Sequence, residues 1–191
     1  MDKKKSAISK MVKEICIKDG KMQWEMHIIP VVKNALELAG KLKADMEVVE
    51  ISAYLHDIAR LKGIPEHHIA GSKMARDILA KLGYNMDFIE KVEYCVLNHG
   101  SSLMECKTLE SKIVNSADSM AHMETPLWLI WIACVDKKMD FRQSFEWVEK
   151  KIENGWKKRF PLPEAREMAR PKYEVAKALL DSTKGYLSGR N

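Results

Sequence analysis

The chain has 191 residues, 46% of them hydrophobic and 31% charged, which suits one substantial folded domain and excludes a disordered polar polymer. No apolar run approaches the roughly 18–20 residues of a membrane span, and Lys3, Lys4 and Lys5 precede no apolar stretch of the kind a secretory leader carries. The formal charge of +5 is modest for this length, so these lysines and Lys157-Lys158-Arg159 read as solvated surface rather than a nucleic-acid stripe, while a mild basic excess suits an anionic substrate.

Nearly every stretch with a clear period reads as helix. His27 stands just ahead of Pro30, a residue confined to the first turn of the helix that follows it. Residues 46–61 place Val48, Ile51, Leu55 and Ile58 on one apolar helical face. Residues 69–82 repeat the pattern with Ile69, Met74, Ile78 and Leu82, and Gly83 follows as a C-cap residue. Residues 126–135 form a short apolar run with two tryptophans, expected as a core helix, which Thr125 would cap and Pro126 would open. Asp140 and Gln143 have capping-box spacing and open a helix to about Arg159. Strand alternation and hairpin turns are missing from the sequence. The expected fold is all-α, with eight or nine helices in a single domain: a core over about 22–124, and residues 125–191 as a helical cap or dimer surface. Breaks are expected near Gly20 and Lys21, and over 62–65, 100–107 and 159–163.

Cys16, Cys95, Cys106 and Cys134 form no C-x-x-C pair, which fits reduced thiols and a cytoplasmic location. Cys16, Cys95 and Cys134 have aliphatic neighbours and are expected to be buried.

All six histidines lie between His27 and His122. His56 and Asp57 are adjacent in an otherwise apolar segment, where two ionisable side chains are costly unless paired. A divalent cation taking imidazole and carboxylate ligands would pair them; a buried His–Asp hydrogen bond is the alternative. Arg60 follows Asp57 by three residues and shares its side of the helix, to bind phosphate or to end the buried face at the surface. Asn115, Asp118 and His122 make a polar stripe three and four residues apart. His99 precedes Gly100 at a helix end, and His67-His68 open the helix that ends at Leu82. The last third of the chain has no histidine and an aromatic-rich span from Trp128 to Trp156, so packing is its expected role.

The order histidine, His-Asp pair, later aspartate resembles the HD superfamily, whose defining site is H…HD…D. His27 resembles its first histidine, His56-Asp57-Ile58-Ala59-Arg60 its namesake motif, and His67-His68-Ile69-Ala70-Gly71-Ser72 the histidine element that follows in many members. Asn98-His99-Gly100 and Ala117-Asp118 resemble the next histidine and the closing aspartate. The resemblance covers residues 24–122, about half the chain, and implies an HD-domain helical bundle with additional C-terminal helices.

It implies further that His27, His56, Asp57 and Asp118 ligate one metal. Two-metal members add the histidines at the positions of His67 and His99, with Asp57 bridging. His67 is preferred because it stands four residues before Gly71, and His68 stays open. One or two divalent transition-metal ions are expected, manganese, iron or zinc first, then magnesium, cobalt or nickel. The implied activity is metal-dependent hydrolysis of a phosphate ester or anhydride, a nucleotide by preference, by cation-activated water. Asp57 and Arg60 are the catalytic candidates, Arg60 offsetting phosphoryl charge, while His122 or Asn115 could orient water or substrate. The stretch from His67 to Asp118 also resembles bacterial diadenosine tetraphosphate hydrolases, although the interval from His56 to His67 is shorter. The glutamate-aspartate pair of guanosine tetraphosphate hydrolases, the HD-GYP signature and the glutamate of the small 5′-nucleotidases are not seen. A di-iron oxygenase and a non-catalytic, metal-stabilised regulatory module are the alternatives. The expected partner is a small phosphorylated molecule, with no membrane and with a homodimer open.

Overall fold

The computed structural model describes residues 3–18, 22–64, 66–100 and 106–187. Among these, nine α-helices and no strand are present: α1 (Lys3–Lys18), α2 (Ile29–Leu42), α3 (Met46–Leu55), α4 (His67–Lys81), α5 (Met86–Asn98), α6 (Leu109–Glu124), α7 (Pro126–Asp136), α8 (Phe141–Lys158) and α9 (Pro163–Leu187). The fold is all-α, as expected. No helix among the described residues is long and apolar enough to cross a membrane. The breaks expected at Gly20 and Lys21, at Pro65 and over 101–105 lie outside the described residues.

Helix α6 is the central strut. Twelve of its residues are buried, Asn115, Asp118 and His122 among them, so the polar stripe faces inward. Helices α2, α3, α5, α8 and α9 all pack on it. One apolar cluster runs from Ile8, Val12 and Cys16 of α1 through Phe145 and Val148 of α8 to Ala169, Ala176 and Leu180 of α9. Both ends of the chain therefore contribute to the core.

Local chemistry sets most helix starts. Asp45 accepts from the backbone N–H groups of Glu47 and Val48 at the head of α3, and Thr108 accepts from Ser111 at the head of α6. Asp140 and Gln143 close a complete capping box on α8.

Five expectations need correction. The helix expected over 46–61 stops at Leu55. His56 Nδ1 lies 2.7 Å from the Ala53 carbonyl, occupying an acceptor the helical ladder would use. The chain then tightens into a Leu55–Ile58 turn and a 3₁₀ segment, Arg60–Lys62. In α4 the inward residues are Gly71, Ser72, Ala75 and Leu79, whereas Ile69 is 51% exposed. Small side chains on that face let α4 approach Ala59 and Val96 closely. Pro126 opens α7, but the Thr125 hydroxyl donates back to the Ala121 carbonyl and caps nothing. Helix α7 is also two-faced, with Leu129, Ile130 and Ile132 buried and Leu127 and Trp131 exposed. Cys16 and Cys95 are buried, Cys134 only partly, and all four thiols are free.

Candidate metal centre

His27 sits in a π-helical turn, Trp24–Ile28, that runs directly into α2. Pro30 offers no N–H to the Met26 carbonyl, and the turn before it widens, with the Ile29 N–H reaching the Trp24 carbonyl five residues back. His56 and Asp57 follow the end of α3, and His99 follows the end of α5. His67 opens α4, and Asp118 lies mid-way along α6.

These elements converge. His27 Nε2 lies 3.0 Å from His56 Nε2, 3.4 Å from Asp57 Oδ2 and 3.5 Å from Asp118 Oδ1. Asp57 turns its other oxygen toward His99 Nε2 at 3.3 Å and His67 Nε2 at 3.8 Å. His27, His56, Asp57, His99 and Asp118 are all buried. Potential ligand atoms group as His27, His56 and Asp118, as His56, Asp57 and His99, and as His67, His68 and His99, within 4.8 Å in each set.

Two histidines are oriented by the same device. His56 Nδ1 meets the Ala53 carbonyl at 2.7 Å and His99 Nδ1 meets the Val96 carbonyl at 2.6 Å. A carbonyl can only accept, so in each ring Nδ1 carries a proton, and in the neutral ring Nε2 presents its lone pair to the cluster. Burial pushes the His56 imidazole down to about 4 despite the pull of Asp57, so this ring is neutral near pH 7. Its lone pair then faces another ring nitrogen and two carboxylates. His27 Nε2 could give a proton to only one of the acceptors it faces, His56 Nε2, Asp57 Oδ2 and Asp118 Oδ1. A cation among these atoms would accept every one of the converging lone pairs. The donor set, imidazole nitrogen with carboxylate oxygen, fits manganese, iron or zinc.

Charge balance supports the same reading. Burial pushes the Asp57 carboxyl up, but the Arg60 guanidinium (Nη1 to Oδ2, 3.5 Å) and the histidines around it hold it well below the usual carboxylate range. At Asp118 burial is likewise outweighed, by His122, His27 and Arg159. Both groups are therefore anionic, as ligands must be.

Several neighbours were not legible in the chain. Arg159, read from the sequence as solvated surface, is largely covered; its guanidinium donates to Asp118 Oδ2 at 2.9 Å and to the carbonyls of His99 and Gly100. Trp128 of α7 lies nearly parallel to His27, ring centres 6.1 Å apart. The histidine-free third of the chain thus supplies walls of the site and not packing alone; what hid this is its distance in sequence from the motif. His122 is buried, stacks on His27 at 5.0 Å and stands 3.6 Å from Asp118. Asn115 donates to the carbonyls of Asn98 and His99 and so fixes the His99 segment. His67 is the member of the His67-His68 pair that meets Asp57. His68 lies against His99 and Gly100, where a Cβ built on Gly100 would come within 2.1 Å of its ring. Glycine after His99 is what lets His68 fit.

A cavity of about 260 Å³ opens onto the cluster between Arg60 and Trp128, lined also by Gln23, Leu129, Ile132 and Asp136.

The family model of the HD domain matches residues 25–123. Among solved structures, the fold is similar to that of Bacillus subtilis YpgQ, at 18% identity and a TM-score of 0.77 over 99% of this chain and 98% of that one. YpgQ has also been solved in complex with ADP, at 17% identity and a TM-score of 0.71 over 98% of this chain and all of that one. A predicted HD superfamily hydrolase from an uncultured Thermotogales bacterium is 23% identical, with a TM-score of 0.64 over 97% of this chain and 92% of that one. At these identities the likeness is one of fold.

Proposed function

Because the chain belongs to the HD domain family, we propose that it is a metal-dependent phosphohydrolase acting on a phosphate ester or anhydride, with a nucleotide as substrate. One observation carries the reading: a neutral His56 turns its Nε2 lone pair toward His27 Nε2 at 3.0 Å, between two buried anionic carboxylates. His27, His56, Asp57 and Asp118 would hold the first cation; His67 and His99, with Asp57 shared, would hold a second. A divalent cation in such a donor set polarises phosphoryl oxygens and acidifies water.

The chain's own groups then divide the remaining work. Arg60, beside Asp57 at the mouth of the cavity, offsets charge on the phosphoryl oxygens. Trp128, Leu129 and Ile132 offer a flat apolar wall to a base, and Gln23 offers it a hydrogen-bonding edge. His122, kept neutral by burial and by the charge on Lys151, holds its place against Asp118. That YpgQ, alike in fold, was solved with ADP supports the nucleotide reading. Four unpaired thiols support a reducing, cytoplasmic setting.

The test is elemental analysis of protein purified without chelators, together with a nucleotide and phosphoester panel supplemented with manganese. Near-stoichiometric metal and chelator-sensitive phosphate release are expected. Asp57→Ala should abolish that release, a loss of about 10³-fold or more, while circular dichroism stays close to that of the native chain. Comparable rates in Asp57→Ala would refute the assignment.

A further inference from the structure

Helix α9 has a second apolar face. Ala165, Ala169, Ala176 and Leu180 are buried in the core, and the outer side of such a helix is normally polar. Here Val175, Leu179, Ser182 and Tyr186 follow one another at intervals of four, three and four residues, with Pro171 and Ala178 beside them. All six are exposed and uncharged, Val175 at 71% and Tyr186 at 88%. This is the spacing of a seam along which one helix packs on another. Glu174 and Asp181, both exposed, edge the seam on the side away from α7.

A groove runs beside the seam. A cavity of about 540 Å³ lies between Leu127 of α7 and Pro171, Val175 and Leu179 of α9. Another, of about 300 Å³, continues it past Trp131 and Phe141 to Thr183. Leu127 and Leu179 line both, so the two make one channel along α9. The charged residues of the first, Glu124 and Lys172, are paired with one another, and the residues lining the second are uncharged. Leu127, Trp131, Phe141, Val175 and Leu179 together expose roughly 600 Å², the upper end of what a monomer ordinarily carries as one patch. With Tyr186 the face reaches about the 800 Å² that each partner contributes to a standard interface.

We propose that two copies of this chain pair through this face, the α9 seam of each laid in the α7–α9 groove of the other about a two-fold axis. A ridge and a groove that run side by side along the same helix satisfy each other in such an isologous pair, and no other protein is needed to supply either. An anionic lipid surface is the poorer occupant, because Glu174 and Asp181 edge the seam with the wrong charge. Trp128 lines this groove and also the cavity over the metal centre, so pairing braces a wall of the site. The inference does not depend on the phosphohydrolase reading.

Sedimentation equilibrium of the chain between about 1 and 100 µM reads the pairing directly. A species of twice the chain mass is expected to form within that range. Val175→Glu and Leu127→Glu, at positions exposed in the single chain and so tolerated by its fold, should each weaken pairing about 100-fold or more, because the dimer would bury two unpaired carboxylates. Met86→Glu, at an exposed apolar position on α5, should leave pairing unchanged. Circular dichroism should show native helix content in all three. A native chain that stays monomeric at the highest concentration overturns the proposal and leaves the face to a different protein or to lipid, the latter read by co-sedimentation with phosphatidylserine vesicles. A dimer that Val175→Glu and Leu127→Glu both leave intact has its contact elsewhere and overturns it equally.

Discussion

Arg159 shows how much of this site depends on single side chains that touch no substrate. Its guanidinium ties Asp118 to the carbonyls of His99 and Gly100, so one cation holds the carboxylate and the histidine segment in one arrangement. Arg159→Met should leave Asp118 buried beside two bare carbonyls and cost on the order of 3 kcal/mol in metal-free protein. Manganese should restore part of that loss by binding only the folded chain. Thermal unfolding with and without manganese would check both, and an unchanged midpoint would mean that water replaces the guanidinium. The other residue-scale lesson concerns tautomers. His56 and His99 each spend Nδ1 on a carbonyl three residues back, and this short-range bond, set at a helix end, aims Nε2 at the cluster.

At the scale of elements, close approach between helices positions the groups that matter. Gly155 is buried in α8 against α6, and a Cβ there would lie 3.5 Å from Ser119 Oγ and 3.7 Å from Met123 Cε. That is room for a methyl group and nothing larger. Gly155→Ala should therefore stabilise α8 by up to about 1 kcal/mol through helix propensity. Gly155→Leu should cost about 1–3 kcal/mol by overpacking and lift Lys151 and Arg159 away from the cluster. Urea midpoints of the two variants should move in opposite directions. The early end of α3 belongs to this scale too. The period of Val48, Ile51, Leu55 and Ile58 is real, and all four are fully buried, yet burial periodicity does not require an α-helical backbone through Ile58. A side chain that competes for a main-chain carbonyl leaves the period intact while ending the helix.

For the whole molecule, the buried histidines set an acid limit. His56 and His68 are brought down to about 4 by burial, and His67 and His122 are lowered as well. Each binds its proton more readily in the unfolded chain, near pH 6.5. Their contribution to stability is therefore complete above about pH 6.5 and is lost as pH falls toward 4. Asp57 and Asp118, held low in the folded chain, add stability that is lost only below about pH 4. Metal-free protein should thus show a melting temperature that falls steadily between pH 6.5 and 4, and bound metal should oppose the fall. A flat profile over that range would mean the rings are already protonated at neutrality. Because one apolar cluster joins α1 to α9, melting should be a single transition, with the C-terminal helices unfolding together with the HD core.

The amino-acid sequence by itself determined the all-α class, the capping box at Asp140 and the identity of the converging residues His27, His56, Asp57, His67, His99 and Asp118. The first two are local, apolar period and capping chemistry, while the converging residues follow from the order in which they resemble the HD superfamily motif, with only His56 and Asp57 marked by their apolar surroundings. It could not determine which face of α4 turns inward, because Gly71, Ser72 and Ala75 are selected by the space between helices and not by hydrophobicity. Nor could it bring Trp128, Lys151 and Arg159 to the cluster. Arg159 lies 41 residues from Asp118 in sequence, and only the packing of α7 and α8 against α6 turns a run of surface-like basic residues into a wall of the site.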